Sequence, residues 1–288
     1  MVRFLFTVSF LLIFVSCVTK TAVSVSTPES SVIQPDEVQI HIIINNYDNK
    51  YYINYYHNIA AALANAHIPH AIAANIQEEI KNDSLFINEL NIILQSNPAF
   101  WILVDKQHSL ADNYVPPDLV LLGRSSYVLN RANMYLQKDA AESLEEMSAA
   151  ARKLGLTLVV SSTYRSFNYQ GEVYARYVNQ MGRIAADRVS ARPGHSQHQL
   201  GLVVDFGSIT NEFASTREGR WLAANASSFG WSLSYPRDME HITGYSWESW
   251  HYRYVGIETA RFIDKYFEGI QQYALRFLHE YKTISAGQ

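Results

Sequence analysis

Two short stretches constrain this chain more than anything else in it, because each sets metal-binding side chains beside a turn and an apolar run. The first, residues 192–205, reads Arg-Pro-Gly-His-Ser-Gln-His-Gln-Leu-Gly-Leu-Val-Val-Asp, and the second is Glu248-Ser249-Trp250-His251. Leu202, Val203 and Val204 have the character of a short buried strand, so Asp205 emerges at its end. Gly201 relieves crowding where the backbone turns in from His198. His251 opens a second strand-like run that continues to Val255. In an ideal strand, positions i and i+3 face opposite ways. Glu248 must therefore lie in the loop before that strand if it is to share a site with His251.

A catalytic zinc takes three protein ligands and keeps a fourth position for water or substrate. A nearby carboxylate then takes the proton from that water. His198, Asp205 and His251 fit the three ligands, Glu248 fits the base, and Zn2+ is the expected cofactor. Spacing alone leaves a plainer reading open. A histidine beside apolar residues is commonly a core or surface residue, and an aspartate after a strand is commonly a turn residue. The helical His-Glu-x-x-His signature is absent from the sequence.

The wider pattern resembles the VanY-type D-alanyl-D-alanine carboxypeptidase family. That family sits in a larger group of zinc peptidases that includes D-Ala-D-Ala dipeptidases, lysostaphin-like endopeptidases and the hedgehog fold. Its pattern of Ser-x-His, Gly, Asp and then Glu-x-Trp-His is met by Ser196-Gln197-His198, Gly201, Asp205 and Glu248-Ser249-Trp250-His251. The similarity extends to Leu103-Val104-Asp105-Lys106, Tyr114, Pro116, Asp118 and Leu119, and to Ser162-Thr163-Tyr164-Arg165-Ser166 with Gln170. It continues through Phe229-Gly230-Trp231, Tyr235-Pro236, Thr243-Gly244-Tyr245 and Arg253-Tyr254-Val255-Gly256. Departures are Ser249 where proline is usual, Val203 where alanine is usual, and Ser234 where a basic residue often stands.

The resemblance implies a zinc carboxypeptidase that trims the terminal D-alanine of peptidoglycan stem peptides, with D,D or L,D specificity left open. It makes Arg165 a substrate-contacting catalytic residue, on the terminal carboxylate or the scissile carbonyl, and sets Gln170 and Ser196 against substrate. A cross-bridge endopeptidase and a non-catalytic wall-binding module are the alternatives, and the presence of Glu248 argues against the second. His195 and His241 are assigned no role.

The expected fold is α+β, a small antiparallel sheet with flanking helices. Asp139 can cap a helix that stops at Gly155, residues 156–160 have a strand pattern, and residues 168–181 read as a helix stopped by Gly182. A helix over 216–228, a strand over 231–235 and one long amphipathic helix over about 257–278 follow.

At the other end, Arg3 precedes an apolar run over residues 4–15, and Val15-Ser16-Cys17 resembles a bacterial lipobox. This run is too short for a comfortable membrane span and fits an export signal. Cys17 is the one cysteine among 288 residues, which excludes an internal disulfide and leaves lipidation as its evident use. The expected organisation is a signal at 1–16, a Ser/Thr-rich tether at 17–37, an α/β extension of unknown role at 38–100 with a strand at 38–44, and the catalytic domain at 101–283. The product is an exported, membrane-anchored protein, read as a monomer. A net charge of −4 without a Lys/Arg run gives no electrostatic case for nucleic acid. His57, His67 and His70 lack a carboxylate or cysteine at ligand spacing, so no second metal site is expected there.

Overall fold

In the computed structural model, residues 49–287 are described. The signal, the tether, Cys17 and the strand expected at 38–44 lie outside them. The described chain opens with three helices, α1 (Asn49–Asn65), α2 (His70–Asn82) and α3 (Leu85–Gln95). Helix α2 buries Ile72, Ile76 and Ile80, one residue per turn, and α3 buries Phe86, Ile87, Leu90 and Ile93. These stripes pack on the last two helices, α9 (Ile257–Tyr266) and α10 (Gln271–Ala286). Phe86 meets Phe262 with ring centres 5.0 Å apart and Phe277 at 5.8 Å. Residues 49–100 therefore share one hydrophobic core with the rest of the chain and are helical, without a strand among the described residues. Arg253 fastens the junction. Fully buried, it donates through Nη2 to the carbonyls of Ala99, Phe100 and Ile102 at 3.1, 3.2 and 2.9 Å. Burial lowers its pKa to about 10, so it remains a cation at neutral pH, and the three carbonyls offset part of the cost of desolvating it.

Between these helical ends lie β1 (Leu119–Leu121), β2 (Val128–Leu129), β3 (Tyr135–Gln137), α4 (Lys138–Lys153) and β4 (Val159–Ser162). Then come α5 (Phe167–Met181), α6 (Arg183–Val189), β5 (Val203–Phe206), α7 (Arg217–Asn225), β6 (Trp231–Leu233), the one-turn α8 (Glu240–Thr243) and β7 (His251–Tyr254). Five strands form one sheet in the order β2-β4-β5-β7-β6, and β1 and β3 pair separately. Among the described residues, no helix is long and apolar enough to cross a membrane.

The α+β expectation holds, with three corrections. The sheet is antiparallel except at its edge, where β2 runs parallel to β4. The single long C-terminal helix is two, because Glu268 and Gly269 take positive φ values of 54° and 73° and turn the chain between them. Helix α6 follows Gly182 directly, a helix that the sequence reading does not include.

The register of the two central strands positions the site. Asp205 on β5 stands opposite His251 on β7, and Ser162 on β4 stands opposite Asp205. Directly opposed residues point to the same face with Cβ atoms roughly 5 Å apart. On the other face, Phe206 and Tyr252 pack with Trp231 in the core. Gly201 joins the His198 turn to β5 at φ 67°, and a Cβ there would lie 2.8 Å from Leu119 Cδ2 and 3.1 Å from Pro116 Cγ. Gly201→Ala is expected to cost about 1–3 kcal/mol of stability, read as a lower urea midpoint, from left-handed strain plus this contact.

Candidate active site

Three elements bring the predicted ligands together. Asp205 and His251 come from the paired strands, and His198 from a 3-10 turn over Gln197–Leu200. Ser196 caps that turn, its Oγ accepting from the His198 amide at 3.3 Å. Gln137 holds the far end, donating from Nε2 to Leu200 O at 2.7 Å and from its amide to Gly201 O at 2.8 Å. One donor atom from each of His198, Asp205 and His251 lies within 4.8 Å of the others, and all three residues are buried.

The orientation of each donor is fixed from behind. His198 Nδ1 lies 2.7 Å from Thr163 O, so this nitrogen carries the proton and the Nε2 lone pair faces inward, 3.2 Å from Asp205 Oδ2. His251 Nε2 lies 3.4 Å from Gln197 Oε1, which leaves Nδ1 facing Asp205 Oδ1 at 3.2 Å. Gln197 is itself held, because Ser234 Oγ donates to its Oε1 at 2.7 Å and its Nε2 donates to Gln271 Oε1 at 3.4 Å. Such outer partners set ring orientation and raise ligand basicity. Ser234, the departure from the basic residue usual in the resembled family, thus serves as a buried support.

Glu248 sits in the loop before β7, with Oε2 3.2 Å from His251 Nδ1. Its amide donates to Tyr235 O, and Asn211 pins the neighbouring backbone by donating to Trp247 O at 3.1 Å and accepting from Ser249 N at 3.2 Å. Burial raises the Glu248 pKa above the usual carboxyl range, against the pull of His251. Asp205 is shifted the other way. Its burial acts upward, yet the two imidazoles hold it well below the ordinary carboxylate value. Burial, and then the Arg165 guanidinium, lower the pKa of His198 to about 4. His251 is pushed up to about 9, because Asp205 and Glu248 together outweigh its burial.

The donor set fits a metal. Two imidazole nitrogens and a carboxylate converge, and among the described residues the only side chain that faces the buried Asp205 Oδ1 is His251, through Nδ1 at 3.2 Å, an arrangement that a cation would satisfy in place of a proton. With its pKa pushed up to about 9 by Asp205 and Glu248, His251 is expected to carry a second ring proton at neutral pH in the metal-free protein, which zinc must displace. Zinc uptake at pH 7 is therefore expected to release close to one proton per ion, with affinity rising about tenfold per pH unit toward pH 9. Calorimetry in two buffers of different ionisation enthalpy measures that proton.

Arg165 lies against the cluster. Its Nη2 is 2.7 Å from His198 Nε2 and 3.1 Å from Asp205 Oδ2, and its Nη1 donates to Gln170 Oε1 at 2.8 Å. Gln170, expected to touch substrate, is only 1% exposed, and its Nε2 donates to Ala191 O at 2.7 Å. The structure places it behind Arg165 as a brace for the guanidinium. Ser196 borders the cleft, although its hydroxyl serves the turn. His195 turns away and bonds Asp105 O through Nδ1, and His241 borders a separate surface depression. The cleft, about 520 Å³, is bordered by His198, Asp205, Glu248, His251, Arg165 and Tyr235, among others. Three of its features escaped the sequence reading: Gln197 behind His251, Asn211 behind Glu248, and Gln271 at the base of the chain of amides. Each is an ordinary polar residue at a position without a pattern.

Two buried imidazoles, a buried carboxylate and a desolvated glutamate beside them define a mononuclear zinc hydrolase. Residues 133–257 match the family model described as VanY, D-alanyl-D-alanine carboxypeptidase. The Bacillus subtilis protein YodJ is 34% identical over 212 residues, which cover 69% of this chain and 77% of YodJ. The structure of the LdcB L,D-carboxypeptidase is 35% identical, with a TM-score of 0.54 over 61% of this chain and 89% of its own. A mutant of the vancomycin-resistance D,D-pentapeptidase VanY, solved in complex with Zn(II), is 33% identical, with a TM-score of 0.51 over 64% of this chain and 99% of its own. The chain belongs to the VanY-type D-alanyl-D-alanine carboxypeptidase family, and His198, Asp205 and His251 form a cluster suited to a metal ion.

Proposed function

We propose that this carboxypeptidase removes the terminal D-alanine of peptidoglycan stem peptides outside the cytoplasm, held at a membrane by a lipidated Cys17. The observation that carries the catalytic part is the convergence of His198, Asp205 and His251 with Glu248 on one side and Arg165 on the other. His198, Asp205 and His251 would hold the zinc. When bound, zinc supplies a Lewis acid that polarises the peptide carbonyl and makes a water acidic near neutral pH. Glu248 takes the proton from the attacking water and delivers it to the leaving amine. Its desolvation supports this role, since a raised pKa brings a carboxylate closer to the working pH. The Arg165 guanidinium, steadied by Gln170, supplies positive charge to the carbonyl oxygen as it becomes anionic. The terminal carboxylate lies one residue further on, about 3.5 Å of chain, within range of the same forked donor.

The sequence of the first 17 residues supports export and anchoring, since a basic start, a short apolar run and Ser16-Cys17 occur in the order a lipoprotein signal requires. The protein is read as a monomer. Its similarity to both an L,D- and a D,D-enzyme frames the specificity question as a direct competition. The soluble protein is given a pentapeptide ending in D-Ala-D-Ala, the tetrapeptide ending in one D-Ala, and the pentapeptide with its terminus amidated. Loss of one alanine from either free-acid peptide, with the amide untouched, supports the reading and assigns D,D or L,D specificity. Cleavage of the amide with equal efficiency would point to an endopeptidase. Anchoring is tested separately, as Cys17→Ser should move the protein from the membrane to the soluble fraction.

A further inference from the structure

Away from the metal cluster, the cleft wall carries two arginines without a carboxylate partner. Helix α5 turns Tyr169, Val173, Arg176, Tyr177 and Gln180 toward the cleft, spaced so that they line one side of the helix. Arg131 reaches the same cleft from the bend between β2 and β3. Its Nη1 donates to the Tyr169 hydroxyl at 3.5 Å, while the Arg176 guanidinium lies 6.0 Å from the Tyr169 ring centre. Of the three arginines that border the cleft, Arg165 is paired, with Asp205, while Arg131 and Arg176 are not. Among the described residues, no carboxylate comes within ion-pairing distance of Arg131 or Arg176, and Glu172, one turn before Arg176, forms no pair with it. The acids that border the cleft, Asp205 and Glu248, are both engaged at the metal cluster.

Two cations gathered around one tyrosine repel each other, and a bound anion relieves that repulsion. Two guanidinium groups and a phenol are also the donors that a carboxylate accepts best. The terminal carboxylate is an unsuitable occupant, because it lies one residue from the bond cut, where Arg165 already stands. The geometry points to an anion subsite formed by Arg131, Arg176 and Tyr169 that binds a second carboxylate of the peptide, upstream of the scissile bond. This assignment rests on the carboxypeptidase reading above. In a stem peptide the second carboxylate has two sources, the free α-carboxylate of a γ-linked D-glutamyl residue or that of a diaminopimelyl residue.

The test uses three peptides that share a free terminal D-alanine, of whichever length the enzyme cleaves. One carries γ-D-glutamyl followed by lysine, the second D-isoglutamine followed by lysine, and the third D-isoglutamine followed by diaminopimelate. The wild-type kcat/KM for the first or the third is expected to exceed that for the second by roughly tenfold, and the preferred peptide identifies the source. Arg131→Gln and Arg176→Gln are each expected to bring that ratio toward one. Equal cleavage of all three peptides by the wild type would overturn the subsite alone, and this readout does not depend on a variant folding. Variants that lose activity on all three peptides in proportion, with the ratio intact, would also overturn it by placing these arginines on the terminal carboxylate. Turnover of none of the peptides would defeat the carboxypeptidase reading, and the subsite with it.

Discussion

Glu248→Gln is expected to lower kcat by about 10²- to 10⁴-fold while leaving close to one zinc per chain, as measured by stopped assays and metal analysis. The amide keeps the shape of the carboxylate and the backbone bond from residue 248 to Tyr235 O, but cannot take a proton from water. Loss of the metal along with activity would instead make Glu248 a ligand. The variant should not melt at a lower temperature. Burial raises the Glu248 pKa in the folded protein, so above its unfolded pKa the ionised group costs stability, and this cost is fully present once the pH exceeds the folded value. Replacing the carboxylate with a neutral amide removes that cost at neutral pH. A fall in activity without a fall in melting temperature therefore separates a chemical role from a structural one.

The second large effect is expected from Asp205→Asn. Asp205 supplies the one negative charge among the three proposed ligands, and its two buried oxygens face His198 and His251 at 3.2 Å. An amide in its place offers a neutral oxygen and an NH2 group that would face His198 and His251. Zinc affinity should fall by at least roughly 100-fold, and activity at micromolar zinc should disappear. Titration with zinc in competition with a chromophoric chelator measures the affinity. Partial recovery of turnover at high zinc would show that the remaining machinery is intact. Unchanged affinity would remove Asp205 from the ligand set.

Much of this site could be read from the sequence because its residues match a family motif, while their positions at strand ends made the metal reading possible without deciding it. Asp205 closes an unbroken apolar strand, His251 opens the next one, and a single antiparallel register sets them face to face. The loop position of Glu248 followed from strand alternation once Glu248 was assigned to the same site as His251. Other features had no such signature. The apolar spacing of Ile263, Phe267, Ile270 and Ala274 runs unbroken through the turn at Glu268 and Gly269, so periodicity cannot reveal that α9 and α10 are separate helices. Strand β2 is two residues long and too short to carry an alternation pattern. Helix α6 leaves Ile184 exposed at 86% and buries only Ala186, so it shows no apolar stripe. Gln197 and Gln271 are 74 residues apart, and only the fold brings them together behind His251. Gln170 shows the opposite limit. Its motif position is clear, but whether its amide meets substrate or braces Arg165 depends on the side-chain direction.

The most direct test of the account is mass spectrometry of the pentapeptide and tetrapeptide incubated with the soluble protein, before and after chelation and again after zinc is restored. The account predicts loss of a single alanine that stops on chelation and returns with zinc. Correctly folded, zinc-loaded protein that leaves both peptides intact would contradict it.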